Sequence, residues 1–308
     1  MKRLILAFQG ILLSPRRRSE YASCQDGLKI FSEGIYMVRN AMVSDASNEA
    51  DDAILASLPT RSQFQAARPV GIGLLNAIAL TQANAMALGF ARQTASDATI
   101  EFNSGFSFDY DNRDGVVGMD FESVAMHELG HALGFMSVVD QIDSMKKNGQ
   151  TGNVAVNPLD LFRFGSAANP STSAEFTNFR RELNPGALAY YDDLGVELRL
   201  STGYSTGDGR QASHWRDGSL SGVLPGVMDP TLAYKSILPM TENDRRVFDR
   251  IGWEYTGGSS GGGGSTALTA SNSQRLRLDA DDVPEPETLA LLLGGLFGIN
   301  QVRRRMLK

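Results

Sequence analysis

His127-Glu128-Leu129-Gly130-His131, continuing into Ala132-Leu133-Gly134, is the stretch on which the reading of this chain turns. At about 100° per residue a helix sets the two histidines roughly 40° apart and one turn displaced, so both imidazoles can face one ion. Glu128 then stands about 60° from His131 and about 100° from His127, an offset that lets it reach a water at the ion without ligating. Ala125, Met126, Leu129, Ala132 and Leu133 fall on the opposite arc and give the same helix a core-facing side. Asp120 is a good N-cap and Gly134 a natural stop, which predicts a helix over 120–134. With only three histidines in 308 residues, composition alone would produce the motif in about one chain in a thousand. The spacing is therefore read as chemistry.

A catalytic zinc site uses three protein ligands and keeps a fourth position open for water. Cys24 is the single cysteine, which excludes an intrachain disulfide framework and any multi-cysteine site and leaves imidazole and carboxylate. The compact arrangement, with its third ligand six residues after the second histidine, meets Ser137 here, a poor zinc ligand. The remaining histidine is His214, in Gln211-Ala212-Ser213-His214-Trp215, and fourteen residues later comes Met228 in Gly226-Val227-Met228-Asp229-Pro230. In isolation His214 reads equally well as a packed loop histidine and Met228 as a core methionine. Asp140 is a rival ligand by chemistry, awkwardly placed after the bend at Gly134.

The ordering of these motifs resembles the metzincin metalloproteases, and among them the leishmanolysin-like branch, over roughly residues 98–256. There an insertion separates the first two histidines from a distant third, and a methionine-containing turn passes beneath the metal. The resemblance implies an α+β, zincin-like fold with a twisted mixed sheet, an active-site helix and a mostly irregular C-terminal subdomain. It assigns Zn2+ to His127, His131 and His214, the general base to Glu128, the bend to Gly134, the turn methionine to Met228 and the insertion to 137–213. The implied activity is a zinc-dependent endopeptidase acting on protein or peptide. In the family an edge strand pairs with extended substrate, and Phe102 to Tyr110 is the corresponding region. Tyr234 reads either as an extra oxyanion donor or as an ordinary packing tyrosine. The cysteines of animal and protozoan relatives are missing, so their disulfides do not transfer. The competing reading is a non-catalytic cell-surface or matrix protein with a structural zinc, and a third is metal-assisted hydrolysis of other bonds.

The composition is 42% hydrophobic and 21% charged, enough apolar material for a real core. A net charge of -6 provides no field for phosphate backbones, which argues against nucleic acid as partner. Leu74, Leu75, Ile78, Ala79, Ala85 and Leu88 recur at near-helical spacing and predict a helix over 69–89. Residues 98–102 and 106–110 alternate as half-buried strands, with a turn from Asp111 to Gly115. Asp109, Asp111 and Asp114 lack the spacing of a helix-loop-helix calcium site. Thr241 with Asp244 forms a capping-box start for a short helix that stops at Gly252.

Residues 31–256 are read as the catalytic domain, and Gly257 to Ser265 opens a flexible linker over 257–282. The tail, 283–308, begins Val283-Pro284-Glu285-Pro286, continues through an apolar segment from Leu289 to Ile299 and ends near Arg303-Arg304-Arg305. As a helix, Leu289 to Val302 covers about 21 Å, short of a hydrocarbon core of about 30 Å. The arginines favour the cytoplasmic face. This tail is similar to the PEP-CTERM sorting domain of Gram-negative bacteria. That resemblance implies export, membrane contact through the tail, and a dedicated sorting enzyme as partner, with location at the cell envelope or surface. Residues 1–30 are read as a leader: Lys2 and Arg3 precede an apolar stretch from Leu4 to Leu13, interrupted by Gln9 and Gly10 and lacking a small-residue cleavage site.

Overall fold

The computed structural model describes residues 22–26, 29–30, 34–45, 50–91, 97–103, 105–256 and 267–270. In chain order these contain β1 (Ala22–Asp26), β2 (Lys29–Ile30), α1 (Gly34–Asp45), β3 (Ala66–Ala67), β4 (Ile72–Leu80), α2 (Gln82–Ala87) and β5 (Ala98–Phe102). Then follow β6 (Phe108–Asp109), β7 (Met119–Asp120), α3 (Phe121–Ala132), α4 (Val139–Lys147), β8 (Gly152–Val156), β9 (Arg163–Gly165) and α5 (Ser173–Asn178). The remainder are β10 (Arg181–Glu182), β11 (Ala189–Asp192), β12 (Glu197–Leu200), α6 (Gly218–Ser221), α7 (Glu242–Arg250), β13 (Trp253–Thr256) and β14 (Ala267–Ala270).

This is an α+β architecture with mixed sheets. The largest has the order β12-β11-β9-β10-β3, antiparallel except for the β10–β3 pair. A second has the order β2-β4-β8, with β4 antiparallel to β2 and parallel to β8. β1 lies antiparallel to β5, joining Ala22 to Phe102 and Asp26 to Ala98.

The helix expected over 69–89 is instead a strand followed by a short helix. β4 is hydrogen-bonded on both edges, and Ala77 to Leu80 are buried without alternation. An apolar run of that kind carries no period that separates strand from helix. Thr81 ends it by accepting the Asn84 N–H at 3.1 Å, which starts α2. Of the strand expected over 106–110, Phe108–Asp109 pairs, in parallel with Met119–Asp120. The Asp109 carboxylate accepts the backbone N–H groups of Asp111 and Val117 and so folds the expected turn beneath it.

The stretch read as an insertion, 137–213, whose fold the sequence leaves unassigned, contributes regular structure to the domain. Four of the five strands of the largest sheet, β9 to β12, come from the stretch read as an insertion. One buried cluster unites Val38 and Met42 of α1, Ile78 and Leu80 of β4, Phe135, Phe162, Tyr191, Trp215 and Phe248. The insertion thus shares its core with the rest of the domain. β1 and β2 fall within the stretch read as a leader, and β14, within the stretch read as a linker, pairs antiparallel with β13. The glycine-serine run 257–265 and the tail 283–308 lie outside the described residues.

Candidate metal centre

α3 begins as its sequence predicts: the Asp120 carboxylate accepts the Ser123 N–H at 2.9 Å. Its end is a Schellman cap, in which Gly134 N–H donates to His131 O and Phe135 N–H to Gly130 O, both at 3.0 Å. Gly134 has φ of 112°, and a Cβ there would stand 3.0 to 3.1 Å from the Asn84 side chain. The residue must be glycine both for the left-handed turn and for the close approach. The same cap turns the Phe135 carbonyl back to accept His131 Nδ1–H at 3.0 Å. The helix terminus therefore also orients a functional ring.

His127 and His131, one turn apart on α3, meet His214 from 83 residues further along the chain. The three Nε2 atoms form a triangle with edges of 3.0, 3.1 and 3.2 Å. The His127 and His214 rings are nearly parallel, at 20°, and His131 crosses both almost at right angles. Each ring's other nitrogen faces a backbone carbonyl: His127 Nδ1 to Val227 O at 2.8 Å, His131 Nδ1 to Phe135 O, and His214 Nδ1 to Gln211 O at 3.1 Å.

A carbonyl oxygen only accepts, so each Nδ1 carries the proton. Burial holds all three rings neutral: it pushes His127 down, His214 well below the ordinary range, and His131 to about 3, with the neighbouring rings adding to the effect on the latter two. Neutral imidazoles protonated at Nδ1 leave three Nε2 lone pairs pointing at one another. No hydrogen bond can form among them, and the arrangement is repulsive until a cation stands between. Nitrogens bonded to a tetrahedral ion at about 2.0–2.1 Å are about 3.3 Å apart, so the triangle needs to open by only about 0.2 Å. Among the described residues this is the one convergent group of three or more metal-ligating side chains.

Met228 lies beneath the pair of ligands on α3. It belongs to the turn Gly226-Val227-Met228-Asp229, closed by Asp229 N–H to Gly226 O at 3.1 Å, and its side chain is fully buried. A Cβ on Gly130, the residue before His131, would be 2.3 Å from Met228 Sδ. The turn is joined to the His214 segment by Trp215 N–H to Met228 O at 3.0 Å, and to His127 through Val227 O.

Glu128 is buried, with 6% of its surface exposed, and follows His127 directly on α3. Ser137 is not a ligand; its N–H donates to Ser213 Oγ at 2.8 Å and its hydroxyl to Asp160 at 2.6 Å. Asp140 also stays out of the triangle, accepting the N–H groups of Ala212 and Ser213 and the Ser213 hydroxyl. Tyr234 is exposed, outside the cluster.

Sequence reasoning missed Asp244. Its capping box was legible, and the structure forms it, but the same buried carboxylate also accepts Trp215 Nε1–H at 2.8 Å and the N–H groups of Val227 and Met228. Gly226 admits it, since a Cβ there would fall 1.9 Å from Asp244 Oδ2. A local motif gives no hint of such long-range acceptor duty.

Comparison with known families matches residues 282–305 to the PEP-CTERM protein-sorting motif. That motif marks the chain for export, with location at the cell envelope or surface, and for recognition of its tail by a sorting enzyme. No curated protein and no solved structure matches the chain. Among the described residues no helix is long and apolar enough to cross a membrane.

Proposed function

We propose that the chain is a zinc-dependent endopeptidase of the metzincin type, carried to the cell envelope and held at the membrane by its tail until a sorting enzyme acts there. The observation that supports this most is the convergence of three unprotonated Nε2 atoms, 3.0 to 3.2 Å apart, one turn of helix plus one distant loop. The donor set suits zinc, a borderline ion that takes imidazole readily. Met228 packed under α3 and the glycine-capped helix end agree with the same reading.

Zinc held there supplies Lewis-acid polarisation of a scissile carbonyl and lowers the pKa of water to about 7. The three histidines, all neutral, leave the charge of the ion undiminished, and their Nδ1–H bonds to carbonyls fix the ring orientations. Glu128 is the base: its carboxylate takes a proton from the attacking water and returns it to the leaving amine. Its burial raises the strength of that exchange by excluding bulk water.

The competing reading, a structural zinc, calls for a site closed by four protein ligands. Among the described residues the convergent group has three, which favours an open position and hence the enzyme. Glu128→Gln tests the mechanism: zinc uptake should match the parent while cleavage of casein falls by at least about 100-fold. Cleavage at the parental rate would overturn it.

A further inference from the structure

The third histidine poses a physical problem that the first two do not. α3 fixes His127 and His131 by its own hydrogen bonds, whereas His214 sits in an irregular stretch between β12 and α6. Ordering the backbone of such a stretch costs conformational entropy, which metal binding would have to offset unless the loop were held beforehand.

The loop is held, from both sides. Asp140, on α4, accepts Ala212 N–H at 2.5 Å, Ser213 N–H at 3.0 Å and the Ser213 hydroxyl at 2.5 Å. Arg163, fully buried on β9, donates to Ala212 O at 3.3 Å and to Ser201 O at 2.7 Å. Ser213 Oγ in turn accepts the Ser137 N–H, so one hydroxyl joins the extension of α3 to the residue before His214. Position 137, which in a compact site would provide the ligand, here secures the loop that provides it.

We propose that Asp140 is a positioning residue for the metal: by fixing the Ala212 and Ser213 peptides it sets where His214 Nε2 stands relative to His127 and His131. The proposal rests on the reading of the three histidines as a metal site. A built-in comparison exists on the same helix. Asp143 accepts Ser205 N–H at 2.6 Å, Thr206 N–H at 3.0 Å and the Thr206 hydroxyl at 2.5 Å, the same pattern applied to a loop segment eight residues before His214. Both carboxylates stabilise a loop; only Asp140 holds the peptides that lead into a ligand.

The test uses the full chain with zinc and with Co2+ as a spectroscopic substitute. Asp140→Asn puts an amide donor against backbone donors, and zinc affinity, measured by chelator competition, should fall 10- to 100-fold with a shifted cobalt absorption band. Asp143→Asn should cost comparable resistance to urea yet leave affinity within about twofold and the cobalt band in place. Ser213→Ala, which removes the hydroxyl's bonds to Asp140 and from Ser137 N–H but leaves both peptide N–H bonds to Asp140 in place, should lose affinity several-fold and carries the test if Asp140→Asn does not fold. Equal zinc affinities and identical cobalt bands in the Asp140 and Asp143 variants would overturn the proposal. A parent chain that takes up no zinc would overturn the metal reading beneath it.

Discussion

Met228 and Gly130 are in contact so close that a side chain at position 130 requires Met228 to move: a Cβ there would lie 2.3 Å from Met228 Sδ and 3.3 Å from the Phe248 ring. The glycine between the two ligand histidines is thus a packing requirement of the turn below. Gly130→Ala gains about 1 kcal/mol of helix propensity and incurs about 1–3 kcal/mol of overpacking. Urea unfolding should show a net loss of up to about 2 kcal/mol, reduced when Met228→Ala is added. A Gly130→Ala chain more stable than the parent would mean that the turn does not press on the helix.

The metal-free protein should lose stability in acid because of its histidines. Burial, reinforced by the nearby His127, holds His131 at about 3 against an ordinary 6.5. Below about pH 6.5 the unfolded chain takes up a proton that the folded chain refuses. That contribution is complete above pH 6.5 and lost as pH falls toward about 3, at up to about 1.4 kcal/mol per pH unit. Asp140 and Asp192, pushed up to about 6 by burial, act in the opposite direction as acid is added. His131→Gln isolates the histidine part: the decline in urea midpoint from pH 7 to 5 should be shallower in the variant than in the parent. Equal slopes would show that His131 titrates normally in the fold.

The ligand-bearing helix was legible in the sequence because its signals are local: an N-cap at Asp120, a 3.6-residue period and a stop at Gly134 all lie within one window. The pairing of β4 was not, since its run Ala77 to Leu80, buried on both faces, looks apolar at every spacing. His214 was reachable through the chemistry of incomplete coordination, which asks for a third donor in a chain offering one more histidine. The roles of Asp140, Asp160, Arg163 and Asp244 were beyond reach, as each receives or donates bonds across 16 to 73 residues and nothing in its neighbours records that. The strands of the 137–213 stretch are two to five residues long, too brief for a period to declare itself.

The account depends most on three histidines holding one ion with a coordination position left over. Zinc-edge X-ray absorption of the full chain loaded with one equivalent of zinc measures this directly. The prediction is three imidazole nitrogens and one oxygen at about 2.0 Å, with tight binding lost in His214→Ala. Four protein ligands, or a zinc shell unchanged by His214→Ala, would contradict it.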